Sequence, residues 1–204
     1  PTAVVDWLEA ALVGKITRKE RFVCRREGWL VDVDCADGSA LKGFLRLERF
    51  ANGKMKQPSC QVRKETAVIA ALHARGIAVP AVYAHSDELH ATLFERVPGH
   101  DGIHELKDAQ QQSEIAKDFM RQLAQVHGLS VGGLDLPELP RPDSAEEYAL
   151  AGIDELERSY ASSVTIPDPL ALLTFQGLRR NIPAPPTRPA LLQGDTVPGN
   201  FVFC

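Results

Sequence analysis

The chain changes character near Pro98-Gly99, and that change limits its fold to one class. Before this point it reads as strands with one long helix; after it, as helices. Strands and helices segregated in this way make an α+β fold, and the cleft between two such halves is a natural ligand site. Val5, Leu8 and Leu12 predict a short amphipathic helix over 4–13, stopped by Gly14. Phe22-Val23-Cys24 and Trp29-Leu30-Val31 read as strands around the turn Arg25-Arg26-Glu27-Gly28. Asp37-Gly38 then signals a hairpin before a strand over 41–47.

Residues 50–58 read as a polar loop, after which Ser59 can cap a helix running to Arg75, with Gly76 as its stop and Pro80 beyond. Strands are expected over 81–85 and 91–97. Helices are expected over 113–127, from Ser144 to Tyr160 with Ser144 and Glu147 as a capping box, and over 169–180. A Pro-rich stretch, 183–189, leads to a short strand over 190–192. The expected division is 1–97 and 98–204.

One acid sits where packing alone would not place it. In the helix after Ser59, Val62, Ile69 and Leu72 share a stripe, and Glu65 falls inside it. A carboxylate facing a core is costly unless it meets a cation. Lys42 and Arg46 lie on one face of the preceding strand, so either can supply that cation. A solvated Glu65 at the edge of the stripe is the other reading.

Gln193-Gly194-Asp195-Thr196-Val197-Pro198-Gly199-Asn200 places an Asp and an Asn five residues apart in a short loop. Kinase-type enzymes use that spacing: the Asp takes the proton of the attacking hydroxyl, and the Asn oxygen holds magnesium on the nucleotide phosphates. The same residue types make ordinary surface turns, and this stretch alone does not choose between the readings.

Composition narrows the partners. With 204 residues, 44% hydrophobic and a net charge of −4, the chain resembles a globular protein with a normal core. No global basic field points to nucleic acid or to an anionic membrane, and no apolar stretch approaches the roughly 20 residues of a membrane span. Cys24, Cys35, Cys60 and Cys204 form no close pair, which fits reduced thiols. Pro1–Val5 lacks a basic stretch leading into an apolar core, so a cytoplasmic location is expected. His100 and His104 are four apart beside Asp101 and Glu105, a metal-binding spacing on a helix, though Pro98, Gly99 and Gly102 argue against a helix there. The acidic residues Asp143, Glu146, Glu147, Asp154, Glu155 and Glu157 read as a solvated helix face, or as a surface for a cationic substrate.

Taken in order, Gly43–Leu47, Lys64–Leu72, Gly76–Pro80, Leu93–Gly99 and Leu191–Phe203 resemble the aminoglycoside phosphotransferase-like family of the protein-kinase-like superfamily. The resemblance covers nearly the whole chain. It implies a two-lobe fold: an N-terminal lobe with an antiparallel sheet and one helix, and a mainly helical C-terminal lobe, here incomplete. It also implies transfer of the γ-phosphate of ATP (or GTP), with Mg2+, to a hydroxyl of a small molecule. Asp195 would be the catalytic base and Asn200 a magnesium ligand. Arg46, paired with Glu65, would bind phosphate; Phe94 would line the adenine pocket, and the carbonyl of Glu95 and the amide of Val97 would hold adenine.

The chain departs from the family pattern in several places. Gln193 stands where the family usually has His, and Arg46 where it has Lys. The phosphate-covering turn, Cys24 to Gly28, has one glycine, and Arg25 or Arg26 is an alternative phosphate contact. The chain ends at Cys204, before the Asp that serves the family as second metal ligand. The expectation is a fragment that, taken alone, does not hold two metal ions and is inactive or nearly so. A non-catalytic nucleotide-binding or scaffold module is the alternative function.

Overall fold

The computed structural model describes residues 2–23, 27–48, 50–51, 54–55, 62–137, 139, 141–182, 184 and 188–204. Helix α1 (Thr2–Ala11) leads into β1 (Gly14–Val23), β2 (Glu27–Cys35) and β3 (Ala40–Leu47). A two-stranded hairpin, β4 (Phe50–Ala51) and β5 (Lys54–Met55), precedes α2 (Val62–His73), β6 (Val82–Ser86) and β7 (Ala91–Glu95). The rest is α3 (Ala109–Gly128), α4 (Ala145–Ser163) and α5 (Pro169–Arg180), with short 3-10 turns at Ile103–Glu105 and Val131–Gly133. The fold is α+β, as the segregation of strands and helices implied.

The five main strands form one antiparallel sheet in the order β1-β2-β3-β7-β6. The pleat divides its residues cleanly. On one face Val31, Val33, Leu45, Ala91 and Leu93 pack with Val4 and Leu8 of α1 and form the core. Leu8 is 1% exposed, and burying a side chain of that size contributes about 1.5–3 kcal/mol. The opposite face carries Leu30, Phe44, Arg46, Thr92 and Phe94, set by the pairs Leu30↔Phe44, Phe44↔Phe94 and Arg46↔Thr92. Helix α2 packs against β7 and β6.

Helix ends follow their capping chemistry. Ser144 Oγ accepts from the Glu147 amide at 3.1 Å, as the capping box predicted, and the Glu147 carboxylate accepts from the Asp143 amide at 2.8 Å. Asp168 accepts from the Leu170 amide at 2.8 Å, with Pro169 opening α5. Gly76, at φ +72°, closes the turn after α2, and Gly38, at φ +85°, closes the β2–β3 hairpin.

Two expectations change. Residues 50–58 are not simply a loop, since β4 and β5 pair within them. Residues 190–192 are irregular rather than a strand. The run Phe201-Val202-Phe203 makes one isolated bridge, His100↔Phe203. Ser59, Cys60, Cys24, Arg25 and Arg26 lie outside the described residues. Among the described residues, no helix is long and apolar enough to cross a membrane.

Candidate phosphate-binding and catalytic site

Arg46 sits on β3 between two unequal neighbours. Opposite it stand Gly28 of β2, which has no side chain, and Thr92 of β7. Its guanidinium crosses to α2, where Nη1 donates to Glu65 Oε1 in an ion pair. Both side chains are about three-quarters buried. Lys42 shares the face of the strand but is exposed, so between the two candidate cations the fold gives Glu65 to Arg46. The Arg46 Nε is buried and, among the described residues, has no hydrogen-bond partner. A buried donor without an acceptor is costly, so this nitrogen is primed for an anionic oxygen.

An apolar row lies beside it. Phe44 makes an edge-to-face contact with Phe22 at 5.5 Å, carries the Arg46 guanidinium 5.9 Å from its ring centre, and faces Leu30 and the buried Phe94 on the flanking strands. The chain then leaves the sheet through Glu95, Arg96 and Val97. Glu95 is locked to Ala81: its amide donates to the Ala81 carbonyl at 2.8 Å, and its carboxylate accepts from the Ala81 amide at 3.1 Å. Burial, with the Glu95 charge second, pushes the nearby Tyr83 phenol up, which keeps it neutral. Arg96 is held twice, by its amide to the Lys42 carbonyl at 2.9 Å and by its guanidinium to Asp32 at 2.6 Å. Val97 is exposed.

The second cluster is the loop after residue 192. The Asp195 amide donates to Gln193 Oε1 at 2.6 Å, so the glutamine shapes the loop. The Asn200 side-chain nitrogen donates to the Asp195 carbonyl at 2.9 Å, and the Asn200 amide donates to the Val197 carbonyl at 3.2 Å. With its nitrogen turned inward, Asn200 has its side-chain oxygen to offer to a cation. Asp195 is exposed. Beyond the loop, Phe201 stacks on Phe119 of α3 at 4.3 Å, and Phe203 exchanges backbone bonds of 2.8 and 2.9 Å with His100. The bridge ties the segment leaving the loop to the segment leaving the sheet.

Residues 16–204 match the model of the phosphotransferase enzyme family. The chain belongs to that family. The resemblance to the aminoglycoside phosphotransferase-like family is thereby borne out, and this phosphotransferase-family chain has an α+β fold consistent with the two-lobe kinase-like kind. A search of curated proteins gives no match.

The matched span contains both clusters of this phosphotransferase-family chain. The fold joins Arg46 to Glu65 and Asp195 to Asn200, places Phe94 on the sheet face that bears Arg46, and puts Glu95 and Val97 on the exit from that sheet. The acidic face of α4 is partly spoken for, because Arg179 of α5 donates to both Asp154, at 2.7 Å, and Glu157. Among the described residues, no group of three or more His, Cys, Asp or Glu is placed to hold a metal ion. Sequence reasoning gave no role to Asp32, Arg96, His85 or Thr92, the residues that hold the neighbours of the pair. The signal at Asp32 is an acid alternating with Val31 and Val33 in a strand; Thr92 and His85 carry none.

Proposed function

We propose that this protein transfers the γ-phosphoryl group of ATP (or GTP) to a hydroxyl of a small molecule. The supporting observation is the Arg46–Glu65 pair with its buried Nε, which has no partner among the described residues. An arginine fixed by a carboxylate and still holding a desolvated donor suits phosphate oxygens, which accept in a fork. In this reading residues 1–97 form the nucleotide-binding lobe and 98–204 the helical lobe with the loop 193–200.

The residues present also fit a magnesium–nucleotide complex. Magnesium takes one or two protein oxygens and completes its shell with phosphates and water, which matches the single oxygen that Asn200 offers. When bound, the ion supplies charge neutralisation across the phosphates. Phe94 and Phe44 supply an apolar wall for adenine, and the Glu95 carbonyl and Val97 amide its hydrogen bonds. Asp195 orients the acceptor hydroxyl and takes its proton as that oxygen bonds to the γ-phosphorus. The bond from γ-phosphorus to the β–γ bridging oxygen breaks, and the nucleoside diphosphate leaves. The acidic balance of the chain favours a small-molecule acceptor over nucleic acid or an anionic membrane surface, and the lack of close cysteine pairs in the sequence suits a cytoplasmic setting.

The test is transfer of label from γ-labelled ATP and GTP to a panel of aminoglycosides, sugars and amino alcohols. Magnesium-dependent transfer that Asp195→Ala abolishes is the expected result. Transfer unaffected by Asp195→Ala would overturn the assigned chemistry. Nucleotide binding without transfer to any acceptor would favour a non-catalytic binding module, the reading to which Gln193 in the His position points.

A further inference from the structure

Helix α2 must sit correctly for Glu65 to reach Arg46, yet its seat on the sheet is polar at the centre. Its buried residues are Val62, Thr66 and Leu72. Thr66 meets Thr92 of β7, whose side chain is fully buried, and the two hydroxyl oxygens lie 2.7 Å apart. Thr92 Oγ1 is also 2.8 Å from His85 Nδ1, and His85 Nε2 is 3.1 Å from Asp87 Oδ1.

Counting protons gives this chain a direction. Thr66 Oγ1 donates its one proton to the Val62 carbonyl at 2.7 Å. It can therefore only accept from Thr92, which spends its own proton there. Thr92 must then accept from His85, so Nδ1 carries a proton. Asp87 Oδ1 stands against the other ring nitrogen, Nε2, at the far end of the chain. Asp87 is reached from α2 as well, by Arg63 Nε at 3.6 Å.

The ends of the chain matter most. Thr66 is the residue after Glu65, and Thr92 is the cross-strand partner of Arg46. The hydrogen bond between the two hydroxyls thus ties α2, beside Glu65, to β7 at the position paired with Arg46 on β3. We propose that Thr92 and His85 are positioning residues of the Arg46–Glu65 pair, holding α2 in register through the directed chain Asp87–His85–Thr92–Thr66. Packing alone does not need the Thr92 hydroxyl, since valine has the same shape. Only the consequence for nucleotide affinity rests on the proposed function; the hold on the ion pair does not.

The experiment compares Thr92→Val, which keeps the volume and loses the hydroxyl, with Thr92→Ser, which does the reverse. Two readouts are taken: exchange of the Arg46 Nε–H with solvent by 15N NMR, and affinity for Mg·ATP. Thr92→Val should speed exchange and weaken Mg·ATP binding, each about tenfold, the scale of losing one buried hydrogen bond. Thr92→Ser should leave both near wild type despite its smaller side chain. The proposal is overturned if Thr92→Val leaves the Arg46 exchange unchanged, or if Thr92→Ser is impaired as much as Thr92→Val. Should Thr92→Val fail to fold, His85→Leu removes the Nδ1 donor from a partly exposed position and must then speed the exchange. A wild-type protein that binds no Mg·ATP would contradict the proposed function, while the exchange readout still decides this proposal.

Discussion

A Cβ atom on Gly99 would lie 2.4 Å from the carbonyl oxygen of Phe203. Gly99 also holds φ at +130°, a conformation that side chains rarely adopt. The close approach is what lets His100 and Phe203 exchange backbone bonds, so the strand exit and the loop exit meet only because residue 99 lacks a side chain. Gly99→Ala should cost about 1–3 kcal/mol from backbone strain, with a further loss as Phe203 is pushed away. Urea denaturation checks this; unchanged stability would mean that the bridge does not form.

Glu65→Gln keeps the shape of the side chain and removes its charge. Arg46 then loses the partner that aims it, and Mg·ATP affinity should fall by about three- to tenfold. Stability should also fall, by about 1–3 kcal/mol, because the largely buried Arg46 guanidinium keeps its charge without a counter-charge. Displacement of a fluorescent nucleotide, alongside thermal unfolding, separates the two effects.

Asp195 and Asn200 should fail in different ways. Asp195→Ala should lower turnover by about 10²–10⁴-fold, the usual scale of a lost general base, with little change in nucleotide affinity. Asn200→Ala should instead raise the magnesium concentration needed, on the order of tenfold, and chelation should remove activity in every variant. Steady-state kinetics across a magnesium series distinguishes them.

The β2–β3 hairpin predicts a small acid sensitivity. The Ser39 hydroxyl, at 2.6 Å, and the Ser39 amide, at 2.9 Å, hold the Asp37 carboxyl below its usual value. A carboxyl with a lowered folded pKa adds stability above its unfolded value of 3.8, and that stability is lost as pH falls through the folded value. Ser39→Ala should therefore be less stable than wild type near neutral pH, and the difference should shrink in acid below 3.8. A difference that grows in acid would reverse the assignment.

Sequence pattern was legible where chemistry is local. The Ser144–Glu147 cap, the Asp37-Gly38 hairpin, the Gly76 stop and the misplaced Glu65 are each written within a few residues. The start of α3 was not: the expected helix began at 113, whereas Asp108 caps it from Ala109 through the Gln110 amide, ahead of a polar stretch with no periodicity. Strand β1 runs back to Gly14 through Lys15, Arg18, Lys19 and Arg21, charges that suit the edge position it occupies. Lys42 and Arg46 share a face, so only the crossing of α2 over the sheet could choose between them. Residues 190–192 show why short apolar runs mislead: a strand needs a partner's edge, and three residues do not specify one. The link from His85 through Thr92 to Thr66 joins three elements and leaves no mark in spacing.

The central claim is that the Arg46–Glu65 pair grips the phosphates of a magnesium-bound nucleotide. Calorimetric titration of ATP into the wild-type protein and Arg46→Ala, with magnesium and with chelator, tests it most directly. The account predicts binding by the wild type that needs magnesium and weakens by about tenfold or more in Arg46→Ala. Binding of equal strength in both proteins, or no binding by the wild type, would contradict it.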